Sequence, residues 1–243
     1  MRLMKFAASC AVYTVAVCLA CSANADVIVT PSSNSGDFSG FVNVFDLGGG
    51  FTFGSGWGID HPATGNGNDI GAFAGDEISF RNSSIDVNDG FWFQDNGDGT
   101  FGGPGGLGNR ILEHNLFQEF DAAGAAGIAG MDLIFDFEVD DFALDPDVRF
   151  EAFITEFNAD FSFNNSTVIP LTSTGTFQVS QAVEGLGGIL QYGFRTTSQV
   201  VFIDDADLNG SATVSAPAAA IPEPTSLALL GLAGLGLTTR RRR

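Results

Sequence analysis

An antiparallel β-sandwich, with a jelly-roll path among the ways of threading it, is the fold class this sequence predicts. Three observations carry that expectation. Apolar and polar residues alternate with period two, most clearly over 131–140. There Leu133, Phe135, Phe137 and Val139 share one face, Asp132, Asp136, Glu138 and Asp140 take the other, and Ile134 is the exception. Clusters of Gly, Asn, Asp and Pro separate such runs at the short intervals of an all-β domain. Between the two ends of the chain no window sustains a period of 3.6.

The elements follow in order. Strands are expected over 40–47, 50–53, 77–80, 91–94 and 111–120, with tight loops at 64–69 and 95–99. The stretch 122–129 is interrupted by Gly124 and Gly127 and reads as a loop. After the strand at 131–140, Asp145-Pro146-Asp147 reads as a turn into a strand at 148–157. Further strands fall at 176–183, 189–196, 199–203 and 211–215, the last running into a linker, and no internal repeat of fixed period is present. The 32 glycines raise the question of disorder, but 24 phenylalanines supply far more apolar surface than a disordered segment carries.

The ends divide the chain into four parts: 1–25, a β-sandwich domain over 26–214, a linker over 215–221 and a tail over 222–243. Arg2 and Lys5 precede a largely apolar run from Phe6 to Ala20, and Ala23-Asn24-Ala25 offers an A-x-A cleavage site, the pattern of a secretory signal peptide. Lipoprotein processing at Cys21 is the weaker alternative, because Cys18-Leu19-Ala20 is a poor lipobox. Cys10, Cys18 and Cys21 all precede the expected cleavage point, so the mature chain would have neither disulfides nor thiolate ligands.

The tail reads Pro222-Glu223-Pro224, an uncharged stretch over 225–239, then Arg240, Arg241, Arg242 and Arg243. As a helix its fifteen uncharged residues would cover roughly 22 Å, short of a ~30 Å hydrocarbon core. Such a segment spans only with snorkelling arginines and local thinning, or acts as a transient stop. Arginines at its far end stay cytoplasmic and place what precedes Pro222 on the opposite side. This order of parts resembles the PEP-CTERM sorting signal of Gram-negative bacteria. The resemblance implies an exosortase-type membrane protease as partner, acting at Pro222, Glu223 and Pro224. It also implies export across the inner membrane, a transient anchor there, and transfer to the cell surface or exterior. It says nothing about the activity of what is exported. The core is similar to secreted bacterial β-modules of carbohydrate-associated or unknown role, through Gly40-Phe-Val-Asn-Val-Phe-Asp-Leu47 and Phe53-Gly-Ser-Gly-Trp-Gly58, with later echoes at 148–157 and 191–194. Those motifs bear on fold rather than activity.

Charge excludes one class of partner. Residues 26–220 hold four arginines, no lysine and 28 acidic residues, a formal charge of −24. Phosphate repulsion then rules against nucleic acid, and an anionic lipid surface fares no better.

Catalytic chemistry finds little support. There is no G-x-S-x-G elbow, and His61 and His114 read as surface or structural histidines without metal-ligand spacing. Glycoside hydrolysis needs two carboxyl groups at a set separation, but the acidic face around Asp136 reads as a solvated strand face. No cofactor is required, with calcium as the sharpest exception. Asp205, Asp207 and Asn209 followed by Gly210 match the first half of an oxygen-ligand loop. Its twelfth position is Ala216 rather than glutamate, and a plain acidic β-turn is the favoured reading. Sugar contact would use exposed aromatic faces, Trp57 in a glycine-rich loop and Trp92, against the alternative that both pack in a core. The expectation for function is a non-catalytic, surface or extracellular-matrix protein of structural role. A carbohydrate-binding module for exopolysaccharide is the alternative, and a glycoside-active enzyme a more distant one.

Overall fold

The computed structural model describes residues 26–56 and 71–218. Its strands are β1 (Val27–Val29), β2 (Ser39–Asp46), β3 (Phe51–Gly56), β4 (Ala72–Ala74), β5 (Glu77–Arg81), β6 (Ser84–Ile85), β7 (Arg110–Phe120), β8 (Asp132–Phe142), β9 (Arg149–Asn158), β10 (Asn164–Pro170), β11 (Gly175–Ala182), β12 (Gly187–Gln199), β13 (Val201–Phe202) and β14 (Ser211–Ser215). One helix, α1 (Ala122–Gly127), and 3₁₀ turns at Ser35–Asp37 and Ile203–Asn209 complete the described elements.

Strands β5, β7, β8, β9, β10, β11, β12 and β14 form the frame. One sheet runs β5-β14-β8-β11 and the other β7-β12-β9-β10. Taken in chain order, the first, eighth, third and sixth strands face the second, seventh, fourth and fifth, which is the jelly-roll path. The hairpin β2–β3 widens the second sheet beyond β7, and β4 widens the first beyond β5. Strand β1 lies parallel beside Leu133–Phe135 of β8, and β14 takes up the same edge further along.

Alternation decides what fills the sandwich. Leu133, Phe135, Phe137 and Val139 of β8 are all buried, as their period of two requires. They meet the inward residues of β12 and β9 across the interlayer space. The Phe194 ring centroid lies 5.2 Å from Phe135, 5.0 Å from Phe137 and 5.3 Å from Phe80, and Phe80 is 4.9 Å from Phe150. Such tilted and edge-on rings at van der Waals separation are the preferred aromatic arrangements. A second cluster joins Val42, Val44 and Leu112 to Ile85, Phe93, Val200 and Phe202, beneath the short parallel pair β6–β13.

Two local expectations fail for identifiable reasons. Residues 91–94 do not form a strand. Asp89 Oδ1 accepts the N–H groups of Phe91 and Trp92, and Phe93 N–H reaches Asp89 O, so the backbone makes a capped turn. Phe93 alone of the four pairs with the sheet-like partner Gly108. Residues 122–127 form helix α1 rather than a loop, because Asp121 caps it by accepting Gly124 N–H at 2.7 Å and Ala125 is buried beneath it.

Two buried polar groups shape the interior. Glu156 faces inward from β9, fully buried, and its carboxylate accepts the N–H groups of Glu184 and Leu186 at 2.8 and 2.7 Å. It thereby anchors the β11–β12 connection. His114 points inward from β7, 2 % exposed, and burial pulls its pKa down to about 4. It is a structural histidine.

Candidate binding groove

The outer face of the second sheet carries a groove of about 460 Å³ that crosses β2, β7, β12, β9 and β10. Its side chains are the alternate set to those in the core. Phe150, Ala152, Ile154 and Glu156 of β9 point inward, so Glu151, Phe153, Thr155 and Phe157 point out. Likewise Gln191, Gly193 and Arg195 of β12 face outward between Tyr192 and Phe194, which are core residues. At ~4.8 Å between neighbouring strands, the crossing of five strands spans ~19 Å.

A line of paired polar groups crosses the sheet here, with Asn43, Glu113 and Arg195 in the groove and Glu151 and Arg149 continuing it beyond the lining. Arg195 donates from Nε and Nη2 to Glu151 Oε2 at 2.9 and 2.7 Å, and its Nη1 lies 3.7 Å from Glu113 Oε2. Glu113 Oε1 accepts from Asn43 Nδ2 at 2.9 Å, and Arg149 Nε stands 3.4 Å from Glu151 Oε1. The line therefore runs Asn43–Glu113–Arg195–Glu151–Arg149 across four strands. Apart from the exposed Arg149 these groups are half-buried or buried, so each holds its neighbour's rotamer in place and salt screens the pairs less than it would at an open surface. Thr155 and Ser166 share a hydroxyl–hydroxyl hydrogen bond of 2.8 Å nearby.

Aromatic side chains form the walls. Phe41, Phe117, Phe153 and Phe157 line the groove, and Phe161 stands at its rim, its ring centroid 5.6 Å from Phe157. The ladder beside these rings requires a glycine. Gly193 sits between Phe117 and Phe153 in the ladder, and a Cβ there would lie 2.1 Å from the Leu116 carbonyl oxygen. The sheet tolerates no side chain at 193, and the buried Phe117 and Phe153 flank the bare backbone there.

Several residues expected from sequence fall elsewhere. Trp92 is half-buried, edge-on to Phe91 at 4.7 Å and to Phe53 at 6.3 Å, and does not line the groove. Asp205 lies in the 3₁₀ turn Ile203–Asn209, where a β-turn was expected, and its carboxylate accepts Gly105 N–H at 2.6 Å. Asn209 uses its backbone carbonyl to accept Asp145 N–H. Asp207 belongs to the same turn. Among the described residues no three His, Cys, Asp or Glu side chains converge as a metal cage requires. A second cavity, of about 700 Å³, lies among loops that include Leu107, Asp147 and Val200 and has no aromatic lining. Ala23, Ala25, Trp57, His61, Pro222, Glu223, Pro224 and Arg240 to Arg243 lie outside the described residues.

Sequence reasoning missed the groove entirely. The available signal was β9 itself, RFEAFITEFN, which carries aromatic residues on both faces although a sandwich strand needs only one apolar face.

No curated protein matches the chain. A solved structure of a carbohydrate-binding module from the β-sandwich superfamily is similar at 12% identity, over 73% of this chain and 70% of that chain, with a TM-score of 0.28. A score that low carries no weight for fold or function. Residues 220–243 match the PEP-CTERM protein-sorting motif. The β-sandwich thus carries a PEP-CTERM tail, which marks it as the substrate of an exosortase, a membrane protein, and implies export and membrane-associated sorting to the cell surface.

Proposed function

We propose that the protein is a non-catalytic component of the extracellular polymeric matrix that holds polysaccharide in the groove of its second sheet. After export through an N-terminal signal over 1–25, the tail would keep it at the inner membrane until an exosortase acts at Pro222-Glu223-Pro224.

The observation that supports this reading is the line Asn43–Glu113–Arg195, fixed from beyond the groove by Glu151 and set among phenylalanines that line it. Sugar hydroxyls donate and accept at once, and they are matched by fixed amide, carboxylate and guanidinium groups. The apolar faces of pyranose rings are matched by aromatic side chains. A purely structural matrix role has no use for such an array on one outer face. Catalysis is not part of the reading, because Glu113 and Glu151 are both committed to Arg195 and to amide or guanidinium neighbours.

The test is retention of the purified full-length chain on a panel of immobilised polysaccharides, compared with Asn43→Ala and Asn115→Ala. Binding that both substitutions weaken is expected. Equal binding by all three proteins would move the contact away from the groove, and no binding by any would leave the structural role alone.

A further inference from the structure

We infer that the chain held in the groove is an uncharged polysaccharide and that Phe161 is the ring on which it stacks; this rests on the glycan-binding reading above. The first half of the inference comes from charge. Every ionised group of the line has an opposite neighbour. Glu151 holds Arg195 on one oxygen and faces Arg149 with the other, and Glu113 lies between Arg195 and Asn43. Glu113 against Arg195 leaves the groove lining neutral, and Glu151 against Arg149 does the same beside it, on a body whose formal charge is −24. A uronate or sulfated sugar would meet no spare cation in the groove, and to reach Arg195 it would have to displace Glu151 from a 2.7 Å contact. Approach alone is opposed by the field of the surrounding acids. A hydroxyl-rich neutral chain meets neither obstacle.

The second half comes from backbone strain. Phe161 has φ of 60°, and among the described residues it is the one non-glycine with positive φ. For a bulky side chain this is a disfavoured conformation that glycine or asparagine would adopt more cheaply. Its turn is fully specified without the ring. Phe161 N–H donates to Asn158 O, Ser162 donates through both N–H and hydroxyl to Asp160 Oδ1, and Asn158 Oδ1 accepts Phe163 N–H. The phenyl group itself is 60% exposed, so its burial repays little of the strain. A strained residue whose side chain the fold does not use is the kind that marks a ligand contact. Here the strain stands the ring at the rim of the groove beside Phe157.

Phe161→Gly separates folding from binding, since glycine suits the left-handed turn. The assay is affinity electrophoresis of the full-length protein in a zwitterionic detergent, through gels containing a neutral β-glucan, a galactomannan or a xylan, and separately polygalacturonate or alginate. Expected are retardation by at least one neutral polymer and none by the polyuronates. Phe161→Gly should bind about tenfold more weakly, as loss of an aromatic anchor does, with Tm unchanged or raised, and Phe161→Trp should restore binding. Neutral binding that survives Phe161→Gly would overturn the platform and leave the groove standing. Retardation by polyuronate at least as strong as by the neutral polymers would overturn the ligand class. Absence of retardation in every gel would overturn the glycan-binding reading itself.

Discussion

Acidification should destabilise the sandwich through His114, by an amount that can be worked out. The imidazole is buried between the sheets, and desolvation holds its pKa at about 4 against 6.5 in the unfolded chain. As pH falls below 6.5 the unfolded chain takes up a proton that the folded one refuses, so stability declines. The decline continues to about pH 4 and then levels, because both states are protonated. At pH 4.5 the loss relative to pH 7 is about 2.5 kcal/mol, or a fall in Tm of about 5–10 °C for a domain of this size. The raw pH curve hides this, because protonating some of 28 carboxylates also relieves self-repulsion. Two carboxyls with lowered pKa, Asp98 through its Thr100 hydrogen bonds and Asp160 through Ser162, lose their contribution only below 3.8, under the window in question. The informative quantity is therefore the difference between wild type and His114→Gln, each followed by urea unfolding from pH 7 to 4.5. Whatever offset the substitution causes, the wild-type curve should fall by about 2.5 kcal/mol more than the variant's. Parallel curves, or an imidazole NMR signal that titrates near 6.5, would refute the claim that His114 is held neutral by burial.

Four further outcomes follow from the same geometry. Arg195→Met leaves Glu151 and Glu113 half-buried without their guanidinium and should cost about 2–4 kcal/mol, read by urea unfolding; in the same protein Glu151→Gln should cost less once Arg195 is gone, a coupling visible in a double-mutant cycle. Gly193→Ala drives a Cβ against the Leu116 carbonyl at 2.1 Å, so β7 and β12 must separate locally, with a large loss of Tm and of groove binding together. Glu156→Ala strands the N–H groups of Glu184 and Leu186 inside the protein at about 1–3 kcal/mol each, and hydrogen exchange at those two amides should rise well above the rise elsewhere. Calcium and EDTA should leave Tm unchanged, with the Asp205 carboxylate engaged by Gly105 N–H; a rise in Tm with calcium would restore Asp205, Asp207 and Asn209 as ligands.

The framework of the sandwich was legible because period two is a direct record of one-sided burial. Strand β8, with its phenylalanines and carboxylates in strict alternation, and β14, which spans 211–215 as expected, needed nothing beyond pattern. Legibility ended where side chains redirect the backbone. Asp89 turned an apparent Phe-Trp-Phe strand into a capped turn, and Asp121 gave an alanine–glycine stretch a helix. Strand β10 went unseen because its first residues are Asn, Asn, Ser and Thr; it is an edge strand, held by β9 and half-exposed along its length. The groove was illegible for a different reason. Asn43, Glu113, Glu151 and Arg195 are far apart in sequence and meet only through the register of four strands, which local pattern does not encode. Sequence pattern therefore points to the tryptophans for sugar contact, whereas the platform proposed here is Phe161, whose signal is backbone conformation.

The asymmetry between the two outer faces gives the last step. The first sheet shows solvent Asp132, Glu138 and Asp140 from β8 and Thr176, Gln178 and Ser180 from β11, acidic or neutral polar groups, with Ile28 and Ile134 the apolar exceptions. The second shows phenylalanines and ion pairs satisfied among themselves. An acidic domain needs only one kind of surface to stay soluble, and the first sheet supplies it. The other exposes the rings of Phe41 and Phe161 and holds Phe161 at positive φ, costs that burial does not repay. Opposite faces of one sandwich meet the same solvent and the same packing demands from within. Under the proposed function the difference has one source, a ligand that touches the second face and not the first.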